Sequence, residues 1–295
     1  MDIQHIVVIG AGTMGHGIAG QAARVGYTVT LVDVDNTRVI GGLDAIGRIY
    51  AKGVARQKMT EAEAEQGRSR LKGSTNLGAA VASADLVIEA VPEHMELKRS
   101  LFGQIDAAAP DHAILASNTS SLPITEIASA TTRAPRVLGM HFFNPVAVMP
   151  LLELVRGEFT DPAVMAAARA VGERLGKTCI EVADAPGFAT SRINALIGNE
   201  AFRMLEQGVA SAEDIDKAIK LGLNHPMGPF EMADLVGLDV RLSILEHLHA
   251  TLGETFRPSN LMRRYVQAGR FGRKVGRGVY EYDAEGRRLP DEETP

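Results

Sequence analysis

The chain predicts an α/β fold: a doubly wound, mostly parallel sheet followed by an all-helical C-terminal domain. Three observations point there. Short β-branched runs alternate with longer helical patterns over roughly the first 180 residues. A glycine-rich turn, Gly10-Ala11-Gly12-Thr13-Met14-Gly15, separates the first strand from the first helix. After Asp184-Ala185-Pro186-Gly187 the texture becomes almost wholly helical, out to about residue 270. The expected domains are therefore residues 1–184 and 185–295.

Taken in order, residues 3–9 read as a buried strand, 13–25 as a helix and 27–33 as a second strand. The charged stretch 36–71 reads as helical. Thr60 and Glu63 stand in it at capping-box spacing, which predicts a break and a restart. Further strands are predicted at 86–90, 113–117, 137–141, 151–155 and 178–182, with helices at 96–108 and 163–175 between them. In the helical half, breaks are expected at Gly208, at Asn224-His225-Pro226 and at Gly253. The polar tail 285–295 is expected to be loosely held.

Composition removes several functions. Lys and Arg total 31 against 36 Asp and Glu, a net charge of -5, where a general nucleic-acid binder carries a basic excess. Residues 263–277 hold six basic side chains and no acid, but glycines interrupt the run and it reads as a solvated face. With no Trp and 5% aromatics, stacking platforms are scarce. The single cysteine, Cys179, excludes an internal disulfide and a Cys-rich zinc site. The remaining histidines lack companions at chelating spacing, so no metal is expected. Residues 3–23 carry no Asp, Glu, Lys or Arg, yet five glycines and several polar groups make them unfit to span a membrane. Asp2 stands where a secretory leader is basic, and a cytoplasmic protein is expected.

The glycine-rich turn carries the first functional reading. Gly10 permits the tight turn, Gly12 lets a pyrophosphate approach the backbone, and Gly15 lets helix and strand pack closely. Asp33 follows Gly10 by 23 residues, at the end of the second strand, where a ribose-binding carboxylate belongs. Its charge accepts hydrogen bonds from ribose hydroxyls and repels a 2′-phosphate, so the expected cofactor is NAD rather than NADP. FAD uses the same turn, and the turn alone leaves that open.

Three polar features stand at predicted strand ends, where open α/β sheets bind ligands. Residues 116–122 are ASNTSSL, directly after an apolar strand. His141-Phe142-Phe143-Asn144-Pro145 closes another strand, and Glu153 interrupts the next apolar run. A histidine with a carboxylate on the neighbouring strand makes a base with its orienting partner. A carboxylate inside an apolar strand needs such a partner, because burying it alone costs several kcal/mol (about 3–5).

GAGTMG, ASNTSSL, HFFNPV, PGF and NHPMGPFE, in this order and spacing, resemble the (S)-3-hydroxyacyl-CoA dehydrogenases, nearest the short bacterial members that act on 3-hydroxybutyryl-CoA. The resemblance runs from Ile6 to about Tyr282. It implies a Rossmann-type domain, an acyl-CoA substrate, NAD as cofactor and a homodimer built from the helical domain. It also implies site roles. His141 is the base that removes the 3-hydroxyl proton, and Glu153 orients it. Ser120 bonds the substrate oxygen near the nicotinamide. Asn118, Asn144, Glu93, Lys98 and Lys274 line the cofactor, together with the turn Gly10–Gly15 and Asp33. The sequence departs from the pattern at one place. The family's catalytic Asn falls at Ser191, a shorter donor, and Asn194 lies three residues on along the same helix. Ser191 is taken as the second donor, with Asn194 as the other candidate. Two alternatives remain: a sugar-acid dehydrogenase of the L-gulonate 3-dehydrogenase type, and a non-catalytic nucleotide-binding protein.

Overall fold

A computed structural model of the chain describes residues 1–290. The chain divides into two compact units, Met1–Ala185 and Pro186–Pro295. Residues 291–295, the end of the polar tail, lie outside the described residues.

In the first unit, β1 (His5–Ile9), α1 (Thr13–Arg24) and β2 (Thr28–Val32) follow one another as the apolar pattern requires. Next come α2 (Asn36–Ala55), α3 (Glu61–Ser69), β3 (Leu71–Ser74), α4 (Leu77–Val81), β4 (Leu86–Glu89) and α5 (Met95–Ala108). The unit continues with β5 (Ile114–Ser117), α6 (Ile124–Ala128), β6 (Val137–Phe142), β7 (Leu151–Arg156), α7 (Pro162–Arg174) and β8 (Thr178–Ala183). The eight strands form one sheet in the order β3-β2-β1-β4-β5-β6-β7-β8. This is the expected mostly parallel, doubly wound arrangement. One core cluster lines a single face of the central strands, where Ile6, Val8, Leu31, Leu86 and Ile88 are all at 0% exposure.

The capping box at Thr60 and Glu63 forms as its spacing predicts. Thr60 Oγ1 accepts from the Glu63 amide at 3.2 Å, and Glu63 Oε2 accepts from the Thr60 amide at 2.6 Å. Three elements escape sequence reading. Helices α4 and α6 have five residues each, too short to show a period. Strand β3, sequence LKGS, has no apolar alternation and occupies the edge of the sheet. Its pairing with β2, starting at Val29↔Leu71, defines it rather than its own propensity. Position 71, expected to end a helix, therefore begins a strand.

Strands β6 and β7 run antiparallel. The eight residues 143–150 between them cannot make a parallel crossover, which needs a dozen or more.

The second unit contains α8 (Thr190–Glu206), α9 (Ala212–Gly222), α10 (Pro229–Val236), α11 (Leu238–Leu252) and α12 (Asn260–Gln267). They pack around Phe202, Phe230, Leu238, Leu245, Leu248 and Met262. Two buried carboxylates organise its C-terminal turns. Asp216 accepts from the Phe230 and Glu231 amides at 2.8 and 3.1 Å and from the Tyr280 hydroxyl at 2.8 Å. Asp234 accepts from the Val279 and Tyr280 amides at 2.8 and 2.9 Å and from the Tyr282 hydroxyl at 2.9 Å. Burial pushes both carboxyls above the usual range, against these donors. The glycine of NHPMGPFE follows from this packing: a Cβ at Gly228 would sit 2.3 Å from the Asp216 carboxyl carbon. No helix among the described residues is long and apolar enough to cross a membrane.

Candidate active site

The site is built at the carboxyl ends of the parallel strands. Gly10 follows β1 with φ +99°, a conformation open to glycine. A Cβ there would lie 2.6 Å from the Ala90 carbonyl oxygen, and one at Gly15 would lie 1.7 Å from the Gly10 carbonyl oxygen. The turn thus lies against the chain after β4 only because Gly10 lacks a side chain, and α1 packs on the turn only because Gly15 does. Gly12 differs: a Cβ there would meet nothing within 4 Å. Its missing side chain leaves open space beside the first turn of α1. Gly12 caps that helix with no side-chain bond, and no acid stands in the first turn. The unpaired amides and positive dipole end there suit a pyrophosphate. Thr13 is exposed on this turn, while Met14 packs against the core.

Asp33 lies just past β2. Its Oδ2 accepts from the Ala11 amide at 2.7 Å and its Oδ1 from the Val34 amide at 2.7 Å. The Ala11 amide is therefore directed at Asp33, so this residue shapes the turn instead of offering a donor to a phosphate. Each carboxylate oxygen keeps a second lone pair for a ribose hydroxyl. Arg38, largely exposed, approaches Asp33 to 4.0 Å. These features fit an adenosine dinucleotide: an anion site at the helix end and a carboxylate acceptor beyond the second strand.

His141 and Glu153 are register partners across β6 and β7. His141 Nδ1 stands 2.6 Å from Glu153 Oε2. Glu153 is fully buried and the His141 side chain is 8% exposed. An ionised carboxylate only accepts, so the neutral imidazole carries its proton on Nδ1 and leaves Nε2 as the basic nitrogen. The Phe143 ring, 4.5 Å away centroid to centroid and tilted by 47°, packs beside the imidazole.

Asn118 Oδ1 accepts from the Phe142 amide at 2.9 Å, tying the end of β5 to the residue after His141. Asn144 is exposed and precedes a cis proline, Pro145. Glu93 is the hub of the ASNTSSL segment. Its Oε1 accepts from the Thr119 hydroxyl at 2.5 Å and from the Ser120 and Ser121 amides at 3.0 and 3.2 Å. The Ser120 hydroxyl lies 3.4 Å from the same oxygen. Burial alone would push the Glu93 carboxyl up. The Lys98 charge and the donors from Thr119 and Ser120 outweigh it and hold the group below the usual carboxylate range.

Lys98 lies buried next to this segment. The expectation that it lines a cofactor meets a side chain 1% exposed. Its ammonium bonds Glu89 Oε1 at 2.6 Å and the Val91 carbonyl at 3.1 Å, with Glu93 Oε2 at 3.3 Å. It supports the site from beneath, through Glu93. Glu89, absent from the sequence-derived set, is fully buried at the end of β4 and also accepts from the Ser117 hydroxyl at 2.6 Å. The signal that marked Glu153, an acid within an apolar strand, marks Glu89 as well.

In the helical unit, Ser191 is half-buried in the first turn of α8. Asn194, one turn on, is already engaged: Arg241 donates to its Oδ1 at 3.2 Å and to its backbone carbonyl at 3.3 Å. Arg241 is 5% exposed, and burial pushes its guanidinium down to about 10. Lys274, expected at the cofactor, bonds both Asp239 oxygens at 2.6 and 2.7 Å within its own unit. Among the described residues no cluster of three or more His, Cys, Asp or Glu is placed to hold a metal.

Two surface cavities lie away from these residues. One of about 340 Å³ is lined by Arg156, Met165, Arg169 and Glu181, and another of about 590 Å³ by Leu43, Ile46, Arg48 and Arg68. Neither contains a residue of the glycine-rich turn or of the His141–Glu153 pair.

Comparison with known proteins agrees with this geometry. Residues 5–185 match the model of the 3-hydroxyacyl-CoA dehydrogenase NAD binding domain, and residues 187–282 that of the 3-hydroxyacyl-CoA dehydrogenase C-terminal domain. A probable 3-hydroxybutyryl-CoA dehydrogenase of Bacillus subtilis is 47% identical over 284 residues, covering 96% of this chain and 99% of the relative. The mitochondrial hydroxyacyl-coenzyme A dehydrogenase of Homo sapiens is 41% identical over 288 residues, covering 95% and 91%. The crystal structure of an (S)-3-hydroxybutyryl-CoA dehydrogenase from Ralstonia eutropha superposes with a TM-score of 0.92 at 44% identity, covering 96% of this chain and all of that one. On the fold, the two domain matches and full-length identity of this order, the chain belongs to the 3-hydroxyacyl-CoA dehydrogenase family.

Proposed function

We propose that the chain is an NAD-dependent (S)-3-hydroxyacyl-CoA dehydrogenase that interconverts 3-hydroxybutyryl-CoA and its 3-oxo form. The observation that carries this is the buried 2.6 Å contact between His141 Nδ1 and Glu153 Oε2, in a chain whose first unit matches an NAD-binding domain of this family. NAD, when bound, takes a hydride from substrate C3 or returns it. The protein's own work is positioning and one proton. His141 Nε2 removes the proton of the 3-hydroxyl as C3 is oxidised, and gives it back in the reverse direction. Glu153 keeps the imidazole in the tautomer that presents Nε2 and stabilises its cationic form. Ser120, on the turn fastened by Glu93, hydrogen-bonds the 3-oxygen. Ser191 supplies the second donor in place of the family asparagine. The turn Gly10–Gly15, Asp33, Asn118 and Asn144 hold the cofactor.

We further infer a homodimer assembled through the helical unit. Large apolar side chains stand exposed there on neighbouring elements: Leu221 at 84%, Leu223 at 62% and Leu235 at 50%. A surface of this kind favours burial against a second copy. Light scattering on the purified chain, compared with Leu221→Lys, tests it; a monomer at working concentration refutes the dimer.

The activity is tested by kcat/KM over acyl-CoA substrates from four to sixteen carbons, with NADH and NADPH. Acetoacetyl-CoA-dependent oxidation of NADH is expected, strongest for the short chains. Turnover of free sugar acids alone overturns the acyl-CoA reading.

A further inference from the structure

Lys177 stands immediately before β8, is 7% exposed and has no carboxylate partner among the described residues. An ammonium without a counter-charge is costly to bury, and burial pushes this one below the usual lysine range. An apolar side chain would fill the place without that cost. What the ammonium supplies is donors. Its Nζ donates to the backbone carbonyls of Val146 and of Met149, the latter at 2.8 Å.

Both carbonyls belong to the connection 143–150 between β6 and β7. That connection joins the strand of His141 to the strand of Glu153, which meet only because the two residues share one register position. A slip of one residue would turn Glu153 to the opposite face of the sheet. The same connection packs toward the cofactor side. Val146 is 3% exposed, and a Cβ at Gly17 of α1 would lie 3.0 Å from its Cγ2. The Pro150 carbonyl, at its far end, accepts from the Thr178 amide at 2.7 Å. Residues 177 and 178 therefore grip the connection at three carbonyls.

We propose that Lys177 is a positioning residue for catalysis. From the start of β8 it clamps the β6–β7 connection, which holds His141 against Glu153 and packs Val146 against Gly17 of α1. The inference rests on the activity proposed above. Lys177 touches neither substrate nor cofactor; it acts through the connection it holds.

The test compares the full-length wild type with Lys177→Met, of similar volume without donors, and Lys177→Arg, which restores them. Each is examined for melting temperature, NADH affinity, kcat and KM with acetoacetyl-CoA, and the His141 Nδ1 proton by NMR. Expected for Lys177→Met is a kcat lower by about 10–100-fold, with NADH affinity and KM near wild type. The His141 Nδ1 proton should shift or broaden, and Lys177→Arg should recover part of both. Should Lys177→Met not fold, Lys177→Leu, also apolar and without donors, is read the same way. A folded variant with unchanged kcat and an unchanged Nδ1 proton overturns the proposal, even if its melting temperature falls. A wild type inactive on acetoacetyl-CoA refutes the activity instead, while the Nδ1 comparison still decides the role of Lys177.

Discussion

His141 and Glu153 meet as direct cross-strand partners, Nδ1 to Oε2 at 2.6 Å, in an antiparallel pair at one side of an otherwise parallel sheet. Residues directly opposite in such a pair hold their side chains close on one face, so the backbone ladder itself aligns the imidazole with its carboxylate. Glu153→Gln keeps the shape but replaces an acceptor-only group with an amide that can also donate to Nδ1, favouring the wrong tautomer. We expect His141→Ala and Glu153→Gln to lower kcat by about 100–10,000-fold, the range for a lost general base. NADH affinity, measured by fluorescence, should remain near wild type in both. Near-normal turnover in either variant removes the pair from the mechanism.

We expect cofactor choice to rest on Asp33 and its neighbour Arg38. Two like charges about 4 Å apart near a surface repel by about 1–4 kcal/mol. NADH should therefore be preferred over NADPH by roughly tenfold or more. Arg38 approaches Asp33 to 4.0 Å and is exposed enough to turn toward a 2′-phosphate. Asp33→Ser should raise kcat/KM for NADPH and lower it for NADH. A wild type that prefers NADPH contradicts the role given to Asp33.

Ser191 and Asn194 can be separated by what each supports. Asn194 is bonded at two atoms by the buried Arg241. Asn194→Ala strips the guanidinium of one acceptor and should cost about 1–3 kcal/mol of stability. Ser191→Ala should leave the melting temperature near wild type and reduce kcat by roughly tenfold, the worth of one lost hydrogen bond of about 1.5 kcal/mol. If Ser191→Ala is fully active while Asn194→Ala is folded and dead, the donor is Asn194.

Glu93 makes the turn bearing Ser120 sensitive to acid. Its carboxyl is held below the usual range, so the folded form binds the proton less well than the unfolded chain. Its contribution is fully present above the ordinary glutamate value of about 4.3. It fades as the pH falls through the lower folded value. Amide protection factors at residues 119–121 should fall over that acid window, and Glu93→Gln should abolish that fall. No coupling between pH and protection there would mean that another group holds the turn.

Much of this was legible in the residues alone. The strand–helix alternation, the glycine-rich turn and the capping box at Thr60 are local patterns, and each formed where its spacing placed it. Their physics acts within a few residues: steric freedom at Gly10, an acceptor three residues ahead of an unpaired amide, apolar side chains at a fixed period. The acid in the apolar run at 153 also announced that it needed a partner. Other features were not legible because they depend on residues far apart in sequence. Strand β3 exists through its ladder with β2. Lys98 acquires its meaning only once burial makes it the counter-charge of Glu89. Arg241 finds Asn194 across 47 positions, and Lys177 finds Val146 and Met149 across 31 and 28. Desolvation makes such groups seek partners, and only the folded backbone determines which partners lie within reach.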